Sequence, residues 1–131
     1  MFQATNTTLD NPDCVVKVID TSKLSDRAKY QFVPTELAAM MDVKHRYVIR
    51  VLDIFRYKER VYIFMERGAN GDLSGYVRKY KMLNEPLAAI WFLQTSLAIH
   101  YLHVDLRMAH RDIKLDNILL DGSDNAKICD Y

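Results

Sequence analysis

His110-Arg111-Asp112-Ile113-Lys114-Leu115-Asp116-Asn117, HRDIKLDN, is a run of charged side chains and an asparagine set between two apolar stretches, Met108-Ala109 and Ile118-Leu119-Leu120. Charge withdrawn from water is costly unless it is paired or meets a ligand. Polarity this dense, gripped by apolar flanks on both sides, therefore reads as a loop seated on a core and open to a cleft.

Three other polar residues stand where polarity is expensive. Lys17 interrupts the β-branched run Cys14-Val15-Val16-Lys17-Val18-Ile19-Asp20, Glu36 lies on a helical stretch, and Asp130 follows the strand-like Ala126-Lys127-Ile128-Cys129. Lys17 and Glu36 can pair across a strand and a helix, while Asp112, Asn117 and Asp130 can supply a base and oxygen ligands. Carboxylate and amide oxygens suit Mg²⁺, which is held together with substrate phosphates rather than in an all-protein cage.

The rest of the chain reads outward from these points. Strand signals cover 14–20, 48–55 and 61–65, with a charged turn over 56–60. Polar 25–31 suits a short helix, and Pro34 opens another over 33–43 that aligns Leu37, Met40 and Met41. Glycine-rich 68–72 marks a linker. A short helix over 73–80 follows, then a long one from Asn84 as cap, with Glu85 and Pro86 in its first turn, to about Val104. Apolar residues on nearly every side of that helix predict burial by several neighbours. Asp121 to Asn125 reads as a solvated turn.

With 131 residues, half of them hydrophobic, and a formal net charge of +1, the chain suits one modest domain. That charge lacks the basic footprint of a nucleic-acid or membrane-surface partner, and no apolar run approaches the roughly 20 residues that span a bilayer. Cys14 and Cys129 read as two buried reduced thiols and a cytoplasmic setting.

HRDIKLDN resembles the catalytic loop of the protein kinases, H-R-D-x-x-x-x-N. Val15-Val16-Lys17 is similar to their V-A-I-K strand and Asp130-Tyr131 to the start of D-F-G. Lys114 is typical of the serine/threonine class, and 31–37 with 96–101 resemble the testis-specific serine kinases of the calmodulin-dependent-kinase-like group. The resemblance implies an α+β, two-lobed kinase-like fold, incomplete here: a small lobe without its glycine-rich loop over 1–66, a hinge over 67–72, and the start of a large lobe over 73–131. It implies transfer of the γ-phosphate of ATP, with Mg²⁺, to a protein hydroxyl. In that reading Lys17 contacts the α- and β-phosphates and is held by Glu36, Asp112 accepts the substrate proton and Lys114 steadies the γ-phosphate. Asn117 and Asp130 hold the metal. Val15 and Leu119 sandwich the adenine, Met65 guards the pocket, Glu66 and Gly68 offer main-chain hydrogen bonds, and Asp72 reaches the ribose.

Two departures qualify the match. Six residues separate His103 from His110, one more than the family interval, and tyrosine stands where D-F-G has phenylalanine, so its hydroxyl needs a partner. Exposed apolar surface on the long helix and marginal stability are expected. A second reading is a pseudokinase-like binding or scaffold module. A third, a zinc site of His100, His103 and His110, lacks the carboxylate of H-E-x-x-H.

Overall fold

The alternating burial of Val61, Ile63 and Met65 organises the first of two compact units. In the computed structural model, which describes residues 2–4, 14–23, 25, 27 and 33–131, these side chains lie on strand β4. The sheet runs in the order β1 (Phe2–Ala4), β2 (Cys14–Asp20), β4 (Arg60–Glu66), β3 (Val51–Tyr57), antiparallel throughout. Val61 and Ile63 are shut off from solvent, each contributing about 1.5–3 kcal/mol by burial.

The β3–β4 connection is tighter than the charged turn expected over 56–60. Tyr57 already pairs with Arg60, so only Lys58 and Glu59 turn, with Lys58 at φ 54°, the left-handed backbone that two-residue hairpins require. Strand β3 also begins later than expected. Val48 and Ile49, both buried, belong instead with β6 (Ala126–Ile128) in the second unit: Ile49 N–H donates to Ile128 O and Ile128 N–H to Tyr47 O, while Val48, whose own N–H turns back to His45 O, bridges to Ile128. Helix α1 (Val33–Met41) stops short of Val43, where Asp42 and Val43 N–H reach back three residues to Ala39 and Met40 in a tightening last turn. Leu37 and Met40 are half-buried and Met41 is exposed. The short helix expected over 25–31 lies largely outside the described residues.

The second unit comprises residues 44–49 and 68–131. Asp72 caps helix α2 (Leu73–Tyr80), accepting from Gly75 N–H at 2.7 Å, and Asn84 caps helix α3 (Glu85–His100) through Leu87 N–H, as its sequence predicts. Leu73, Trp91, Ile118, Leu120 and Ala126 form the core between these helices and the hairpin of β5 (Ile118–Leu120) and β6.

The long helix departs from expectation at its end. Its α portion closes at His100, and Tyr101–Asp105 is a π turn, with Leu106 N–H donating to Tyr101 O five residues back. Trp91, Gln94, Ala98 and Leu102 are buried, whereas Ile90, Phe92, Leu93, Leu97 and Val104 are exposed, the apolar surface anticipated above. By length and composition the 21 helical residues Glu85–Asp105 could cross a membrane. This corrects the reading that no apolar stretch comes near that length: Gln94, Thr95, Ser96 and the histidines break the run in sequence without lowering the average enough.

Candidate active site

The catalytic-loop segment is held from below by His110, which is buried. Its Nε2 lies 2.9 Å from Cys129 O, and its Nδ1 is 3.3 Å from Asp112 N. A carbonyl only accepts and an amide N–H only donates, so Nε2 carries the proton and Nδ1 is bare. One ring thereby ties the loop to the end of β6. This answers the opening contrast between polar loop and apolar flanks: Ile118, Leu120 and His110 anchor with Asn117 buried beside them, and Arg111, Asp112, Lys114 and Asp116 are exposed.

Asp112 is exposed, and its Oδ2 accepts from Lys114 Nζ at 2.8 Å and from Asn117 Nδ2 at 2.9 Å. The Lys114 hydrogen bond first, then that from Asn117, holds the Asp112 carboxyl below the usual carboxylate range. The same Lys114–Asp112 bond raises the lysine, with Asp116 and Asp130 adding attraction. The pair stays ionised and mutually oriented.

Asn117 is buried at the end of a 3₁₀ turn, Leu115–Asn117. Its amide also donates to Asp112 O at 2.8 Å, which commits the nitrogen to the loop and leaves Oδ1 as the oxygen a cation can take. Cys129 N–H donates to Asn117 O at 3.0 Å, continuing the β5–β6 ladder in which Ile118 faces Ile128, so Asp130 emerges next to Asn117. Asp130 (φ 60°) and Arg111 (φ 66°) both adopt left-handed backbone, strain of the kind that collects at functional sites. The donor set, one amide and one carboxylate oxygen, fits Mg²⁺ completing its shell with phosphate and water. Among the described residues no three His, Cys, Asp or Glu cluster as a metal site, so His100, His103 and His110 do not form the zinc alternative.

The residues assigned to nucleotide fall in both units. In the first, β2 and β4 set Val15 directly opposite Met65 and Lys17 opposite Ile63, placing Val15 and Lys17 on the same face two residues apart. Glu66 N–H donates to Arg50 O at 3.0 Å. Glu36 lies on α1, but its side chain is outside the described residues, and with it the Lys17–Glu36 pair. In the second unit, Gly68 presses against Leu119: a Cβ at Gly68 would come within 2.6 Å of Leu119 Cβ. Only glycine lets the linker main chain approach β5 so closely. Asp72 bridges to Leu119, and its carboxylate is engaged in capping α2.

Several supports were missed in sequence. Gln94, buried on α3, donates to Asn125 Oδ1 at 2.9 Å and accepts from Ala126 N–H at 2.7 Å, while Trp91 Nε1 donates to Asp124 O at 2.8 Å. The turn read as solvated is thus gripped by the helix. Burial pushes the Asp121 carboxyl up, but hydrogen bonds from Asn125 and Ser123 outweigh it and leave it lowered. The signal for Gln94 was a lone amide inside an apolar helical run. The Tyr131 hydroxyl finds its partner in Ile49 O at 3.1 Å.

Comparison with known proteins agrees with this geometry. Testis-specific serine/threonine-protein kinase 4 of Homo sapiens is 40% identical over 116 residues, 88% of this chain and 35% of its own length. Testis-specific serine/threonine-protein kinase 2 of Mus musculus is 38% identical over 117 residues, 88% of this chain and 32% of its own. NUAK family SNF1-like kinase 2 of Homo sapiens is 34% identical over 116 residues, 88% of this chain and 18% of its own. The chain thus spans about a third or less of the length of these relatives. The protein kinase domain family matches residues 2–131, and with the catalytic-loop geometry this establishes that the chain belongs to the protein kinase family.

Proposed function

We infer that this chain serves a serine/threonine protein kinase that moves the γ-phosphate of ATP, with Mg²⁺, to a serine or threonine hydroxyl of a protein. The observation that carries the reading is the convergence of Lys114 and Asn117 on Asp112 Oδ2. Phosphoryl transfer asks a protein for positioning and charge neutralisation more than for covalent chemistry. Asp112, kept ionised, orients the incoming hydroxyl and takes its proton as the bond to phosphorus forms. Lys114, bonded to that carboxylate, would offset negative charge developing on the transferred group. Asn117 and Asp130 would hold the cation, which when bound neutralises the phosphates. Lys17 would meet the α- and β-phosphates, and Val15, Met65, Gly68 and Leu119 the base. Glu66 supplies main-chain polarity and Asp72 a carboxylate for the ribose. Cys14 and Cys129, both buried and not joined in a disulfide, support a cytoplasmic setting.

The test is phosphate transfer from labelled ATP to a basic serine peptide by the protein carrying this chain, against its Asp112→Asn form. Loss of transfer by about 10²–10⁴-fold with nucleotide binding retained is expected. Equal turnover by the variant overturns the assignment, and a parent protein that binds nucleotide yet transfers nothing favours the scaffold reading.

A further inference from the structure

Lys44–Ile49, the segment of the second unit that precedes β3, is folded around one titratable ring. His45 is half-buried and lies nearly parallel to the Tyr101 ring, at 4.9 Å and 18°. Its main-chain O accepts from Val48 N–H and its Nδ1 from Tyr47 N–H, both at 3.1 Å. The side chain thus closes the turn that its own carbonyl opens. An amide N–H only donates, so Nδ1 carries no proton.

This turn leads to the candidate site. Tyr47, whose N–H is spent on His45, accepts at its main-chain O from Ile128 N–H at 2.9 Å, and Ile49 N–H returns a bond to Ile128 O at 2.8 Å. Ile128 ends β6, two residues before Asp130, and the intervening Cys129 bonds to His110 and to Asn117. The ring that sets Tyr47 is therefore one residue removed from the strand that carries these anchors.

Charges of both signs act on the imidazole. Arg46, on the same segment, lies over the Tyr47 ring at 4.9 Å, and Tyr47 in turn meets the His45 ring edge-on at 5.7 Å. The π turn contributes Tyr101, whose hydroxyl accepts from Lys44 N–H, and Asp105. Burial first and Arg46 second hold the ring below the ordinary histidine value of about 6.5, against an upward pull from Asp105. The bond from Tyr47 is therefore complete above that value and is lost as pH falls from it through the lowered midpoint. A protonated ring has two donors and no acceptor. It must release Tyr47 N–H, while the Tyr101 face and Asp105 attract it as a cation.

We propose that His45 is an acid-sensitive latch: its neutral ring fastens Tyr47, and through Tyr47 the end of β6, and its protonation loosens the Tyr47–Ile128 link behind Asp130. The latch operates whether or not the chain transfers phosphate, and its readouts are independent of that reaction.

The test is NMR on the full chain from about pH 7.5 to about pH 5, the range in which histidine changes charge. The His45 ring is titrated through its ¹³Cε1 signal, and amide exchange at Tyr47 and Ile128 is read as protection relative to an unstructured chain at the same pH. Both amides lose protection about tenfold on acidification, with the midpoint of the ring, while Val61 and Ile63 on β4 keep theirs. His45→Asn supplies an oxygen that accepts from the N–H two residues on at every pH, so protection persists in acid. His45→Phe keeps a ring against Tyr101 but has no acceptor, so protection is low throughout, with the fold checked by circular dichroism. Constant protection in the parent, a Tyr47 midpoint that does not follow the His45 ring, or an acid response that survives His45→Asn overturns the proposal. So does an equal loss at Val61 and Ile63, which marks general unfolding.

Discussion

The Asn117 side-chain amide donates to two oxygens of Asp112, the main-chain carbonyl at 2.8 Å and Oδ2 at 2.9 Å. One buried residue thereby sets both the path of the loop and the orientation of its carboxylate. Asn117→Ala removes both bonds and is expected to cost about 1–3 kcal/mol, read as a lowered midpoint in urea denaturation with unchanged slope. A variant as stable as the parent would show that the loop is shaped by its flanks alone.

Lys114 governs the ionisation of Asp112. Because its hydrogen bond is the largest cause of the lowered Asp112 carboxyl, the carboxylate persists as pH falls past the ordinary value, and protonates only at more acidic pH. Lys114→Met removes that bond, so the Asp112 midpoint moves upward toward the ordinary carboxylate value of about 3.9. A carboxyl ¹³C titration by NMR reads the shift directly. An unchanged or lower midpoint would contradict the pairing.

Sequence alone located what local chemistry determines. Strand Cys14–Asp20, helix Leu73–Tyr80 and the Asn84 cap fall where β-branching, the glycine-rich linker and capping residues set them. The catalytic-loop motif was legible because its residue types are constrained by position. What escaped depends on contacts distant in sequence. Val48 and Ile49 look like the start of β3, but Ile49 N–H bonds to Ile128 on β6, almost 80 residues away, and Val48 bridges to the same residue. The turn 121–125 looks solvated because nothing within it announces Gln94 and Trp91 on a separate helix.

Gln94 carries a prediction of its own. It is buried, with its amide spent on Asn125 Oδ1 and Ala126 N–H, so Gln94→Leu preserves bulk while orphaning an interior N–H. The expected loss is about 1–3 kcal/mol, with faster amide exchange at Ala126 than in the parent. Thr95→Leu on the same helix is the control for added hydrophobicity, and equal effects of the two would remove the bridging role from Gln94.

The π turn over Tyr101–Asp105 can absorb the one residue by which the stretch between His103 and His110 exceeds the interval the kinase resemblance implies. Tyr101, which opens the turn, is fixed: its hydroxyl accepts from Lys44 N–H at 3.1 Å and its ring stacks on His45 at 4.9 Å and 18°. At the far end, His110 is tied to Cys129 O. A segment one residue too long between two fixed points must bulge, and a five-residue hydrogen-bonded turn absorbs one residue without breaking the helix. Val104 is the exposed member of that turn, at 61%. Its deletion should therefore convert the π turn to α-helix, leaving stability within about 1 kcal/mol of the parent and the His110–Cys129 bond intact. The comparison is deletion of Ala98, which is fully buried on α3 and whose loss rotates every later residue off the core. If deleting Val104 proves as damaging as deleting Ala98, the bulge is not the accommodation of an insertion but a geometry the catalytic loop requires.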